Sequence, residues 1–116
     1  MSAPRTRKPP GRILLVVPTL DEAENLPTLV PAFFAALPKA HLLVVDDASP
    51  DGTGDVCMEL ARRYPGLHLL RRNGPRGLGR AYLAGIEWGL RRGFEVIGTM
   101  DADSSHDPAQ LPAMVA

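Results

Sequence analysis

The sequence predicts an α/β fold built on a parallel, doubly wound sheet, and three observations predict it. Four short apolar runs, Ile13-Leu14-Leu15-Val16-Val17, Leu42-Leu43-Val44-Val45, Leu67-His68-Leu69-Leu70 and Val96-Ile97-Gly98-Thr99-Met100, are continuous rather than alternating, the mark of strands covered on both faces. Between them apolar residues recur at helical spacing, so strands and helices alternate, and right-handed crossovers then give parallel pairing. Acidic residues stand directly after three of the four runs, at the carboxyl ends of strands where open α/β sheets bind their ligands. Bringing these acids to one crevice requires the first strand to neighbour both the second and the fourth, a spatial order 3-2-1-4.

Each element has its own signals. The first strand is expected to end at Pro18. Leu26, Leu29, Val30, Phe33 and Leu37 then form one apolar stripe of a helix. Pro27 suits a first turn, but Pro31 removes a hydrogen bond from a helix starting near Asn25, so a kink or a later start is expected. A second helix is predicted from Asp55 to Tyr64, with Val56, Leu60 and Tyr64 on one face and Pro65-Gly66 as its stop. The third runs from about Leu78 to Arg92, with Arg91 and Arg92 in its last turn and Gly93 where a left-handed cap falls. Residues 1–11 hold three prolines with Arg5, Arg7 and Lys8 and no apolar period, so they read as a disordered basic leader. Weak attraction to anionic lipid headgroups is the alternative reading of that leader. Residues 12–116 form the folded part.

Composition narrows the classes. A chain of 116 residues, 45% apolar and 22% charged, supports one core and not two. With 13 basic and 13 acidic residues, no net field points to nucleic acid. Cys57 is the only thiol, which excludes an internal disulfide and a cysteine-rich metal centre and fits a reducing, cytoplasmic setting. No apolar run approaches the roughly 20 residues that span a bilayer.

The acidic clusters carry the chemistry: Asp21 and Glu22, then Asp46 and Asp47, then Asp101 and Asp103. Each alone also fits a helix cap or a turn; three at one sheet edge point to a site. In Asp101-Ala102-Asp103, alternating carboxylates leaving a buried strand can offer one side chain to a divalent metal and the other to a ribose hydroxyl or to the metal again. Oxygen ligands suit Mg²⁺ or Mn²⁺, which neutralise a diphosphate leaving group as its charge develops. His106 is a candidate for support behind a ligand, or part of a turn with Ser104, Ser105, Asp107 and Pro108. Arg76 and Arg80 flank Gly77 and Gly79 and either approach a phosphate or sit on the surface.

Four segments in order carry a resemblance. Val17-Pro18-Thr19-Leu20-Asp21-Glu22-Ala23-Glu24-Asn25-Leu26, Val45-Asp46-Asp47-Ala48-Ser49-Pro50-Asp51-Gly52-Thr53, Gly77-Leu78-Gly79-Arg80-Ala81-Tyr82 and Met100-Asp101-Ala102-Asp103-Ser104-Ser105-His106-Asp107-Pro108 resemble the motifs of family 2 glycosyltransferases, in particular the polyprenyl-phosphate (dolichyl-phosphate) mannosyltransferases. The resemblance implies a GT-A fold with strand order 3-2-1-4, a GDP-mannose donor, a polyprenyl phosphate acceptor at the cytoplasmic face of a membrane, and Mg²⁺ or Mn²⁺. It implies that Pro18, Leu20 and Glu22 line a base and ribose pocket, that Val45 and Asp47 hold the guanine or its surroundings, and that Asp101, Ala102 and Asp103 reach the ribose, diphosphate and metal. Asp101 and Asp103 are then the catalytic acids, and Ser105 a third metal position with a weaker ligand. Leu20 and Asp21 replace a tyrosine and an asparagine of the family pattern, which removes a ring able to stack on the base.

Other readings fit less well. A phosphatase with D-x-D would place that strand first, and a dehydrogenase would show G-x-G-x-x-G after the first strand, where Pro18-Thr19-Leu20-Asp21-Glu22 stands. A non-catalytic nucleotide-binding fragment, or a family 2 transferase using another donor such as UDP-glucose, remains the alternative. Only Ser104 to Ala116 follow the D-x-D, with Leu111, Met114 and Val115 as an apolar side. By the resemblance the C-terminal half of the fold is incomplete, so the chain alone is expected to be inactive in transfer, with an apolar edge around Val96 and Ile97.

Overall fold

A computed structural model describes residues 12–102. Four strands, β1 (Ile13–Thr19), β2 (His41–Asp46), β3 (Leu67–Arg71) and β4 (Val96–Thr99), alternate with three helices, α1 (Leu26–Ala36), α2 (Thr53–Ala61) and α3 (Leu78–Arg91). All pairings are parallel and the sheet order is β3-β2-β1-β4, as the acidic clusters required.

Alternate residues of the central strands enter two cores. Leu15, Val17, Leu42 and Val44 pack with Leu26, Leu29, Val30 and Phe33 of α1 and with Cys57 and Leu60 of α2. Leu14, Val16, Leu43 and Val45 face the other way, with Ala81 of α3 and Phe94. Covering both faces is why residues 14–17 of β1 and 42–45 of β2 are apolar at every position. On the second face α3 lies very close to the sheet: a Cβ at Gly85 would stand 2.3 Å from Val16 Cγ1, and one at Gly89 would stand 2.6 Å from Leu14 Cδ2. The glycines permit that approach and thereby set where the start of α3 falls.

Several boundaries differ from expectation. β1 continues through Pro18 to Thr19. The β4 ladder stops at Val16–Thr99, Val16 O accepting from Met100 N–H and Thr19 O from Asp47 N–H. Alternation therefore turns the nitrogen of Pro18 to the side where β4 has ended, and no ladder bond is lost. Helix α1 starts at Leu26 and keeps Pro31 inside, so the later start does not occur. An internal proline costs about 3 kcal/mol, whereas burying Leu26, Leu29, Val30 and Phe33 returns about 1.5–3 kcal/mol each. Helix α2 starts two residues earlier than predicted because Asp51 accepts the Thr53 N–H at 3.0 Å and also meets the Thr53 hydroxyl, and Gly52 takes φ +85° to let the chain turn. It also ends earlier, at Ala61, and residues 62–64 continue as a turn whose N–H groups reach Glu59 and Leu60. Gly93, at φ +80°, occupies the expected left-handed position after α3.

Candidate functional site

The carboxyl ends of β1, β2 and β4 and the start of α3 enclose a cleft of about 510 Å³. Pro18, Thr19, Leu20, Glu22, Asp47, Arg76, Gly77, Leu78, Ala81, Asp101 and Ala102 line it. One acid from each predicted cluster reaches the wall; the other described acids, Asp21 and Asp46, do not.

Asp46 is turned inward, 4% exposed. Its carboxylate accepts from the Thr19 hydroxyl at 3.0 Å, the Ser49 hydroxyl at 2.6 Å and the Ser49 N–H at 3.3 Å. Those bonds replace the water a buried charge loses, so Asp46 ties the β1 and β2 ends together instead of meeting a ligand. Asp21 takes φ 59° and donates its N–H to Ser49 Oγ at 2.9 Å. Beside it Glu22 N–H donates to Thr53 Oγ1 at 3.0 Å and Ala23 N–H to Asp51 Oδ2 at 3.1 Å. The segment after β2 is therefore a clamp on the segment after β1, and it fixes Glu22 at the cleft. The Thr53 hydroxyl is the first cause holding the Asp51 carboxyl below its ordinary range.

Asp47 is also buried, but on the cleft wall. Its carboxylate pairs with the Arg72 guanidinium and accepts the Gly77 N–H at 2.9 Å. Arg76 donates Nε–H to Asp47 O at 3.1 Å and an Nη2 hydrogen to Ala48 O at 2.6 Å; among the described residues it is the one cation on the wall. On the opposite side Tyr82 donates its hydroxyl to Asp101 Oδ1 at 3.2 Å. Burial, and then the neighbouring Asp101, push the Tyr82 phenol up from its ordinary value, so it serves as a donor at neutral pH.

Of the sequence-predicted residues, Pro18, Leu20, Glu22, Asp47, Asp101 and Ala102 stand together on this wall. Val45 does not: its side chain is fully buried in the core beneath α3, 3.1 Å from where a Gly85 Cβ would stand. Val45 and Asp47 point to the same face of the sheet, but Asp47 lies just past the end of β2, whereas Val45 is one pleat deeper, in the core with Ala81 of α3. Asp103, Ser104, Ser105 and His106 lie outside the described residues. Thr19 and Leu78 also line the cleft, and Arg72 and Tyr82 bond to two of its acids, although no role was read for them. Leu78 and Tyr82 belong to the Gly77–Tyr82 motif, which could have flagged them; nothing near Arg72 does so.

The donor set can be tested for a metal. Among the described residues no group of three or more His, Cys, Asp or Glu could hold one. Asp101 supplies one hard oxygen donor at the wall, and Mg²⁺-type ions need only one or two carboxylates besides phosphate oxygens and water. The site's chemistry thus fits a hard divalent ion met partly by a phosphorylated ligand.

A cleft at the carboxyl edge of a parallel sheet with helices on both faces defines a ligand-binding fold of the open α/β class. The model of glycosyl transferase family 2 matches residues 14–116, and the chain belongs to that family. It is 50% identical over 113 residues to the polyprenol monophosphomannose synthase of Mycolicibacterium smegmatis, covering 97% of this chain and 43% of that protein. It is 49% identical over 104 residues to the undecaprenyl-phosphate mannosyltransferase of Micrococcus luteus, covering 90% of this chain and 43% of that one. The chain thus spans less than half the length of these relatives. Among solved structures it resembles the mannosyltransferase PcManGT of Pyrobaculum calidifontis in complex with GDP-Man and Mn²⁺, with a TM-score of 0.70, 26% identity, and coverage of 94% of this chain and 35% of that one. No helix among the described residues is long and apolar enough to cross a membrane.

Proposed function

We propose that this chain forms the donor-binding part of an inverting, metal-dependent mannosyltransferase that moves mannose from GDP-mannose to a polyprenyl (dolichyl) phosphate. The observation that carries the reading is the 50% and 49% identity to two enzymes named for polyprenyl-phosphate mannose transfer, over matches that cover 97% and 90% of this chain. In this reading Pro18, Leu20 and Glu22 meet the base and ribose, and Asp47 borders the base. Val45 supports Asp47 from the core rather than touching the ligand. Asp101, Ala102 and Asp103 receive the ribose and diphosphate, with Asp101, Asp103 and Ser105 towards the metal.

The chemistry asks little of a general base. A lipid phosphate is anionic at neutral pH, so one of its oxygens can attack the anomeric carbon directly. The bond from that carbon to the diphosphate breaks, and GDP leaves with the electron pair. Attack opposite the leaving group inverts the centre. Catalysis then rests on alignment and on stabilising the leaving group. Bound Mg²⁺ or Mn²⁺ supplies neutralisation of the charge that gathers on the diphosphate. Glu22 and Asp47 orient the nucleoside, and Arg76, pinned by two carbonyls, adds a positive wall. The enzyme would act as a peripheral protein at the cytoplasmic face of a membrane, where the acceptor's phosphate is presented.

Leu20, 43% exposed at the cleft, favours a second reading of donor choice. An aliphatic side chain covers a base without ring stacking, so selection between GDP-mannose and UDP-glucose falls to other contacts. Calorimetric titration with both donors, with and without Mn²⁺, tests the proposal. Mn²⁺-dependent binding of GDP-mannose, several-fold tighter than UDP-glucose, is expected. The reverse order would replace the mannosyl reading, and the absence of any nucleotide binding would end it. Transfer to a polyprenyl phosphate in detergent tests the acceptor.

A further inference from the structure

Gly77-Leu78-Gly79-Arg80-Ala81-Tyr82 is not explained by the donor contacts above, although it forms the first turns of α3. Its two ends touch two different acids. Gly77 N–H reaches Asp47, which follows β2, and the Tyr82 hydroxyl reaches Asp101, which follows β4. Those strands are not neighbours, because β1 lies between them. One helix start therefore spans the cleft and holds both carboxylates.

We propose that Tyr82 is a positioning residue for the metal-dependent part of donor binding: its hydroxyl, 3.2 Å from Asp101 Oδ1, sets the plane in which that carboxylate faces the cleft. This rests on the mannosyltransferase reading, in which Asp101 serves metal and diphosphate. The ring is well placed for the task. It packs against the core of Leu14, Val16, Leu43, Val45, Ala81 and Phe94, and Gly85 and Gly89 let α3 seat closely on β1. The hydroxyl is thus delivered from a rigid element, whereas Asp101 lies just past the end of β4, beyond the ladder that would otherwise orient it. A carboxylate facing a hard ion gains from a partner that fixes its direction, and losing such a partner typically lowers metal affinity about tenfold or more.

The test is Mn²⁺ titration in the presence of GDP, followed by calorimetry or by the paramagnetic signal of free Mn²⁺. Wild type is compared with Tyr82→Phe, which keeps the ring, and Tyr82→Leu, which removes it. If the hydroxyl is what matters, both variants lose apparent Mn²⁺ affinity alike, by about tenfold. GDP affinity without metal stays unchanged in Tyr82→Phe, which also keeps the wild-type unfolding temperature. Full Mn²⁺ affinity in Tyr82→Phe with a loss only in Tyr82→Leu would overturn the proposal in favour of ring packing, while leaving the mannosyltransferase reading intact. An equal loss of GDP affinity with and without metal would also overturn it. A wild-type chain that binds GDP without any response to Mn²⁺ would overturn both.

Discussion

Asp47 and Gly77 are joined by a hydrogen bond of 2.9 Å from the Gly77 N–H to Asp47 Oδ2, which fastens the start of α3 to the end of β2. The other oxygen meets Arg72, so a buried acid serves a helix N-terminus and a partly buried cation at once. Asp47→Ala removes both interactions and strands Arg72. A loss of about 2–4 kcal/mol in unfolding free energy is expected, since breaking one side of a buried pair leaves a charge uncompensated. Urea unfolding measures it; a loss below about 0.5 kcal/mol, the range of an inconsequential surface change, would show that the pair is not structural.

Glu22 and Asp101 stand on the same wall but should separate by metal dependence. Glu22→Ala is expected to weaken GDP-mannose binding by a similar factor with and without Mn²⁺, because it orients the nucleoside. Asp101→Ala should remove the Mn²⁺-dependent increment, as should Asp103→Ala. Calorimetry under both conditions decides it, and a metal-independent loss in Asp101→Ala would contradict the assignment.

Gly85 sets the seat of α3. An Ala Cβ there would lie 2.3 Å from Val16 Cγ1 and 3.1 Å from Val45 Cγ2, so the helix must lift from the sheet. Overpacking of this kind costs about 1–3 kcal/mol, more than the roughly 1 kcal/mol that Ala gains over Gly in a helix. Gly85→Ala should therefore lower the unfolding temperature and, by moving Ala81 and Leu78 at the cleft, weaken donor binding. An unfolding temperature at or above wild type would refute the close packing.

A pair of histidines lies across the sheet between β2 and β3. His41 Nδ1 and His68 Nε2 are 2.9 Å apart, with Trp88 and Phe94 packed around them and Arg12 and Arg92 stacked on those rings. Burial first, and then the neighbouring Arg12, lower the affinity of His41 for a proton; for His68 the causes after burial are His41, Arg92 and Arg12. The folded state then binds fewer protons than the unfolded one. The stability they contribute is complete above the unfolded value of about 6.5 and is lost as pH falls below it towards the lowered folded values. Unfolding at pH 7.5 and 5.5 should show wild type losing stability on acidification and a His41→Asn, His68→Asn double variant losing less. Equal losses would remove the pair from the explanation.

The sequence by itself determined the fold class and most of the lining. Continuous apolar strands, helical stripes between them and acids at three strand ends need only local periodicity and the handedness rule to yield the order β3-β2-β1-β4. Glu22, Asp47 and Asp101 were legible because residues just past a strand's end lie at the sheet edge wherever the strand sits. What only the tertiary structure decided is what the neighbouring acid does instead. Asp46 and Asp47 are adjacent and chemically identical, yet the strand pleat turns Asp46 onto Thr19 and Ser49 and Asp47 onto Arg72 and Gly77. Val45 likewise reads as a site residue and lies in the core. Pro18 reads as the end of a strand and Pro31 as a reason for a later helix start, and neither holds, because ladder geometry and burial outweigh a local preference. Arg72 and Tyr82 gain their roles from partners 25 and 19 residues away. Separations of that kind become contacts only when the sheet assembles, so no local pattern can announce them.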